Sequence, residues 1–158
     1  MKVFISHQSR DTPTAEAIHR RLRDHHGIAC YLDTIDPYIN RSGEDLAAHI
    51  RAQMSACTQL LAVISDATLA SQWVPWEIGV ASEKDFPLAT YSGGLTLPPE
   101  FLRKWPYLRN TVDIDRYAMA SKAASLSLRQ KRVVLNEAVA RSQSTGEFYT
   151  QLRQALGQ

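Results

Sequence analysis

Short unbroken apolar runs recur along the chain at Lys2-Val3-Phe4-Ile5-Ser6, at Ile28 to Asp33, at Gln59-Leu60-Leu61-Ala62-Val63-Ile64-Ser65, and at Phe86 to Tyr91. Runs of this length without alternation predict strands covered on both faces. Between them the apolar positions change to helical spacing: Ala15, Ile18 and Leu22, then Leu46, Ile50, Met54 and Cys57. Thr12 predicts the cap of the first helix, with Pro13 at its first position and Glu16 in its first turn, and Gly27 predicts its end. A third helix is expected from about Trp73 to Glu83, and a short one over Glu100 to Trp105. Pro87 places the fourth strand near the sheet edge. Thr111-Val112-Asp113-Ile114 predicts a weak fifth strand. A long polar helix is expected from Tyr117 to about Ser142, broken at Thr145-Gly146, before a last helix with Phe148, Leu152 and Leu156 at four-residue spacing.

Strand and helix thus alternate through the first 115 residues, the pattern of an α/β fold with helices on both faces of a parallel sheet. Right-handed crossovers favour a flavodoxin-like strand order, 2-1-3-4-5. Ligands in such sheets bind beyond the carboxyl ends of the strands, where the order reverses. Here that point lies between strands one and three, at the loops that begin Ser6-His7 and Ser65-Asp66.

Into that crevice the pattern directs Ser71-Gln72-Trp73-Val74-Pro75-Trp76-Glu77. Trp73 and Glu77 are four apart and share a helix face. An aromatic plate beside a carboxylate can hold a flat, cationic ring. The competing reading makes both indoles core and leaves Glu77 solvated. Asp33 and Asp36, at the exit of strand two, can bond a ribose hydroxyl or serve as loop caps. Thr34 to Asp45 is a long polar connection, a length at which loops are often functional. Within it Arg41-Ser42-Gly43 precedes a helix whose amides favour an anion, although an exposed Arg41 is the simpler reading.

Composition narrows the function classes. At 158 residues the chain has the size of one domain, with 44% hydrophobic and 22% charged residues. The formal charge of +2 requires no nucleic-acid partner. It divides unevenly, with a balance of −4 over residues 1–102 and +6 over 103–158, which reads as solvated helix faces in the C-terminal third. Cys30 and Cys57 lack a CxxC partner and read as reduced packing residues. No signal segment and no apolar run of spanning length is present, so a soluble cytoplasmic protein without membrane contact is expected. No GxGxxG, no GxxxxGK[ST] and no GxSxG occurs. The five histidines lack metal-ligand spacing; His25-His26 reads as the solvated end of a helix, and His7 as a residue of the first crevice loop.

Taken in order, Val3-Phe4-Ile5-Ser6, Asp11, Tyr31-Leu32-Asp33, Leu60 to Ser65 and Ser71-x-Trp73-x-x-x-Glu77 resemble the Toll/interleukin-1 receptor (TIR) domain, most of all the stand-alone bacterial TIR proteins. The resemblance covers roughly residues 1–90. It implies a TIR domain over 1–115 and a C-terminal helical extension, 116–158, packed on the same domain. It also implies cleavage of the nicotinamide–ribose bond of NAD+, with Glu77 catalytic and NAD+ a substrate rather than a cofactor. Trp73 would hold the nicotinamide side, the loop from Ser6 through His7 to Asp11 would line the nucleotide, and Asp33 and Ser65 would border it. Asp36, Pro37, Arg41, Ser42 and Gly43 would belong to the loop through which TIR domains assemble. That loop departs from receptor TIR domains, since it lacks their arginine–aspartate and proline–glycine pattern. For stand-alone bacterial members the resemblance implies anti-phage defence, with ADP-ribose or a cyclic or base-exchanged relative as product and a downstream effector able to sense it. Two other classes remain open: a non-catalytic TIR adaptor, and an enzyme like the nucleoside deoxyribosyltransferases, which also set a glutamate at a glycosidic bond.

Overall fold

The computed structural model describes residues 1–32, 44–66, 68, 73–93 and 97–158. Five parallel strands form one sheet in the order β2-β1-β3-β4-β5, as the alternation predicts: β1 (Lys2–Ser6), β2 (Ala29–Leu32), β3 (Gln59–Val63), β4 (Leu88–Tyr91) and β5 (Tyr107–Leu108). The helices are α1 (Thr12–His26), α2 (Glu44–Ser55), α3 (Trp73–Glu83), α4 (Thr111–Lys131) and α5 (Glu137–Leu156).

Successive strand residues feed opposite faces of the sheet. Val3 and Ile5 of β1, with Leu61 and Val63 of β3, enter a core shared with α1, α4 and α5. Phe4, Leu60 and Ala62 enter a second core with α2 and α3. Both faces are therefore dry, which is why the strands read as continuous apolar runs. The first core closes around Tyr117 and Phe148, whose rings meet edge to face with centroids 5.9 Å apart. Tyr117 donates to Gln59 Oε1 at 3.1 Å, and burial pushes its phenol far up from its ordinary value.

Gly27 adopts φ +62° and ends α1 as expected, its N–H bonded back to Arg23 O. The cap at the other end of α1 differs from expectation. The N-cap position is Asp11, one residue earlier than Thr12, and the Asp11 carboxylate does not cap because it accepts a hydrogen bond from Ser65 instead.

Two further expectations are corrected. The fifth strand is Tyr107–Leu108, and Thr111 to Ile114 open α4. Asn110 decides this, because its side chain accepts from Asp113 N at 3.0 Å and starts a helix where the Val–Ile alternation suggested a strand. β4 lies next to the edge strand β5, so it is near the sheet edge as expected; Pro87 precedes the strand and contributes its carbonyl, which Leu60 N reaches at 3.0 Å. The break in the C-terminal helices falls at 132–136 rather than at Thr145-Gly146, with Asn136 capping α5 through Val139 N at 2.9 Å.

His26 is not at a solvated end. Its Nε2 lies 2.7 Å from Asp115 of α4, which also takes a two-pronged contact from Arg21 at 2.9 and 2.8 Å. Much of the C-terminal positive charge is likewise paired in α4, α5 and the connection between them, as in Lys131 with Glu147 and Arg132 and Arg141 with Glu137. Among the described residues no helix is long and apolar enough to cross a membrane.

Candidate functional site

Ser6 ends β1 and shares the parity of Phe4, so it faces the α2 and α3 side of the sheet. Glu77 lies in the second turn of α3, the helix that packs there through Val74, Ile78 and Ala81. The two meet across 71 residues of sequence, with Ser6 Oγ donating to Glu77 Oε2. Glu77 is only 4% exposed. A buried carboxylate requires hydrogen-bonded partners to remain in the fold. Glu77 is therefore not the solvated residue of the competing reading.

The rest of the strand-end region is held by local polar contacts. His7, 7% exposed rather than facing water, sits 3.3 Å from Thr12 Oγ1 through Nε2. Thr12 Oγ1 in turn donates to Ser9 O at 2.8 Å. Ser65, just past β3, donates from Oγ to Asp11 Oδ2 at 2.7 Å, and its amide donates to Thr68 Oγ1 at 2.9 Å. The Asp11–Ser65 bond ties the first crevice loop to the third, across the switch point between β1 and β3.

Trp73 begins α3 and is 39% exposed. Its ring meets Trp76 edge-on, with centroids 5.6 Å apart and planes at 89°. Trp76 packs against the second core while Trp73 keeps surface open to solvent, so the two indoles divide packing from exposure. Asp33, Asp36, Pro37, Arg41, Ser42 and Gly43 lie outside the described residues. Of the site residues singled out in the sequence, the structure bonds Ser6 to Glu77, bonds Ser65 to the first loop, and sets Trp73 edge-on against Trp76.

One element of this end of the molecule escaped the sequence reading. A crevice of about 610 Å³ opens at the carboxyl ends of β3 and β4, bordered by Asp11, Ser65, Asp66, Tyr91, Ser92 and Arg103 among others. It shares Asp11 and Ser65 with the residues expected at the nucleotide, whereas Ser6, His7, Trp73 and Glu77 are not among its described lining residues. Glu77 belongs to the α2/α3 face, whereas Val63 and Tyr91 of the crevice wall pack with the α1/α4/α5 core. The signal available in the sequence was the Gly/Pro-rich stretch Ser92 to Pro99, directly after the fourth strand.

The thiols are remote from this chemistry. Burial pushes Cys30 up to about 12 and Cys57 up to about 11, which keeps both protonated and unreactive at neutral pH. Among the described residues no group of three or more His, Cys, Asp or Glu is placed to hold a metal ion.

A doubly wound five-stranded sheet with a buried carboxylate on the helix after β3 defines a flavodoxin-like α/β protein with its polar site at the strand ends. The model of the TIR domain family matches residues 3–116, and the chain belongs to that family. The comparison with curated proteins finds no match.

Proposed function

We propose that this TIR domain is an NAD+ nucleosidase in which Glu77 is the catalytic residue. The observation that carries the reading is the buried Glu77 carboxylate, oriented by the Ser6 hydroxyl at the strand-end switch point. A surface that served only for assembly has no use for a carboxylate out of water, where it costs stability unless it is fully bonded.

The chemistry is consistent with the groups present. In NAD+ the bond between ribose C1′ and the nicotinamide nitrogen breaks with its electron pair leaving on nicotinamide, which departs neutral. Positive charge develops on C1′ and the ring oxygen, as in glycoside cleavage. A preorganised carboxylate beside the ribose stabilises that charge or bonds the ribose hydroxyls. Water then adds at C1′ and loses a proton to give ADP-ribose, or an internal nitrogen adds to give a cyclic product. Trp73, partly exposed at the start of α3, is the aromatic surface for the departing ring. Ser6, His7, Asp33 and Ser65 border the nucleotide in this reading. The segment containing Asp36, Pro37, Arg41, Ser42 and Gly43 carries self-association, which brings a neighbouring copy to the site. In a bacterial setting the outcome is defence against phage, by depletion of NAD+ or through a product sensed by a downstream effector.

The test is NAD+ turnover by purified protein, alone and in an assembled or infected-cell state, beside Glu77→Gln. The variant is expected to lose a factor of about 10²–10³ or more. Equal rates once activation has been demonstrated leave the enzymatic reading untenable and favour the adaptor.

A further inference from the structure

We propose that a second cavity, at the joint between α4 and α5, binds a small phosphomonoester, without reliance on the NAD+ reading. The cavity measures about 200 Å³. That is less than drug-sized ligands occupy and suits a phosphate group carrying a few carbon atoms. It lies at the amino ends of the strands, where Met1 precedes β1, Gln59 begins β3 and Pro87 precedes β4. Glu77 is at the other end of the sheet, bonded to the last residue of β1. The remaining walls come from α4, α5 and the connection between them, beyond residue 116, where the family match stops.

Charge selects the ligand. Arg129 of α4, Arg132 of the connection and Arg141 of α5 all line the cavity, and no carboxylate is among its described lining residues. The acid at hand is Glu137, whose Oε1 accepts from Arg132 Nη2 and, at 2.7 Å, from Arg141 Nη2. One carboxylate thus serves two guanidiniums, and Arg129 has no carboxylate partner among the described residues. Three cations against one anion leave a surplus of two positive charges. A phosphomonoester, at about −1.5 to −2 near pH 7, matches that surplus. Guanidinium groups also suit it in shape, since each can give a phosphate two parallel N–H bonds. The hydroxyls of Thr58 and Thr145 are committed to Lys2 O and Asp85 O at 3.2 and 2.9 Å, and Ser144 Oγ lies 3.5 Å from Ser127 Oγ. The lining hydroxyl left to a ligand is therefore that of half-buried Ser125. Met1, Pro87, Ala124 and Leu128 form the apolar part of the wall, which the carbon side of an ester covers and inorganic phosphate leaves bare. Val133 and Val134, 83% and 79% exposed next to Arg132, make a lipid headgroup one source of the ester and a soluble metabolite the other.

The experiment is isothermal titration of glycerol 3-phosphate, inorganic phosphate and glycerol into the full chain. Glycerol 3-phosphate is expected to bind saturably with one-to-one stoichiometry, inorganic phosphate about fourfold or more weakly for want of buried carbon, and glycerol not at all. Arg129→Gln is expected to weaken glycerol 3-phosphate about tenfold or more, as the loss of a charged hydrogen bond does. The unliganded melting temperature should not change, because Arg129 is exposed. Lys122→Gln removes the same charge from an exposed position of α4 outside the cavity and is expected to bind like the parent. Sedimentation with phosphatidylcholine vesicles, with and without phosphatidic acid, separates the two sources. Capture by phosphatidic acid that glycerol 3-phosphate reverses places the ester on a lipid, and titration without capture places it on a soluble molecule; either result supports the site. The proposal is overturned by absence of saturable glycerol 3-phosphate binding at millimolar concentration, or by equal affinity for inorganic phosphate or glycerol. It is also overturned if Arg129→Gln binds like the parent, or if Lys122→Gln weakens binding as much as Arg129→Gln. None of these ligands contains nicotinamide or reaches the other end of the sheet, so a negative result leaves the Glu77 test untouched.

Discussion

Ser6 and Glu77 meet because two independent periodicities agree. The two-residue period of β1 turns Ser6 to the same face as Phe4, and the helical period of α3 turns Glu77 to the sheet with Val74, Ile78 and Ala81. The sequence marked Glu77 through its neighbours, but its burial depends on a serine 71 positions away, and no local pattern states that pairing. The same holds for Asp11, which in the sequence stands one residue before the expected helix start and in the fold is claimed by Ser65. The Ser6–Glu77 pair has a consequence for stability whatever the protein's activity. Ser6→Ala removes the donor to a buried carboxylate and is expected to destabilise the fold by about 1–3 kcal/mol. In a Glu77→Ala background the same change is expected to cost well under half of that, because the acceptor is gone. Urea unfolding of the four proteins of this cycle measures the coupling. Additive effects would show that the two side chains do not support one another.

At the scale of elements, long periodic segments were legible and short ones were decided by single polar side chains. The three apolar runs at β1, β2 and β3 keep the strand positions they imply. β5 has only two residues, too few to carry a period, and its outer edge is completed by Gln158, which donates to Tyr107 O at 2.6 Å and accepts from Tyr107 N at 3.1 Å. The helix starts at Asn110 and Asn136 are set by side-chain caps, a signal that was present in the sequence and outweighed by the apparent alternation and by Gly146. Contacts between elements were not legible, and Asp115 is the clearest case. Its hydrogen bonds to Arg21, and next to His26, join α4 to α1 and hold its carboxyl well below the usual carboxylate range. A depressed folded-state value means that the stabilisation is present above the ordinary carboxylate pKa, about 4, and is lost as pH falls through the lower folded value. Asp115→Asn is therefore expected to cost about 1 kcal/mol at pH 7, the upper end for a partly exposed pair. The gap to the parent should close progressively below about pH 4. Chemical denaturation at several pH values reads this directly, and a gap of constant size down to pH 3 contradicts it.

For the whole molecule, the question is how much chain the sheet needs. The segment matched by the family ends at residue 116, inside α4, yet the core on that face of the sheet continues through Tyr117, Ala120 and Ala124 to Phe148, Leu152 and Leu156 of α5. Phe148 and Leu152 are fully buried, Phe148 against both Tyr117 and Tyr149. Tyr149 reaches the opposite side of the same region, donating to Phe86 O and accepting from Leu88 N, both at 3.3 Å, beside the start of β4. The two C-terminal helices thus cover one face of the sheet, and α5 also braces the segment that carries Arg103. Truncating one buried Phe to Ala costs about 3–5 kcal/mol, and each buried Leu about 2–5 kcal/mol. A domain has only about 5–15 kcal/mol of stability in total. Removing α5 deletes Phe148, Leu152 and Leu156 together and also exposes the inner surface of α4, so the loss reaches or exceeds that total. A chain ending at residue 134 is expected to show no cooperative urea transition and no near-ultraviolet dichroism from fixed aromatic side chains. Phe148→Ala in the full chain, a milder change, is expected to keep a cooperative transition at a midpoint lowered in proportion to about 3–5 kcal/mol. If the 1–134 chain unfolds cooperatively with the parent's midpoint, the sheet is self-sufficient and α5 is an appendage. If it fails while Phe148→Ala folds, α5 is part of the core without which the strand-end site cannot form.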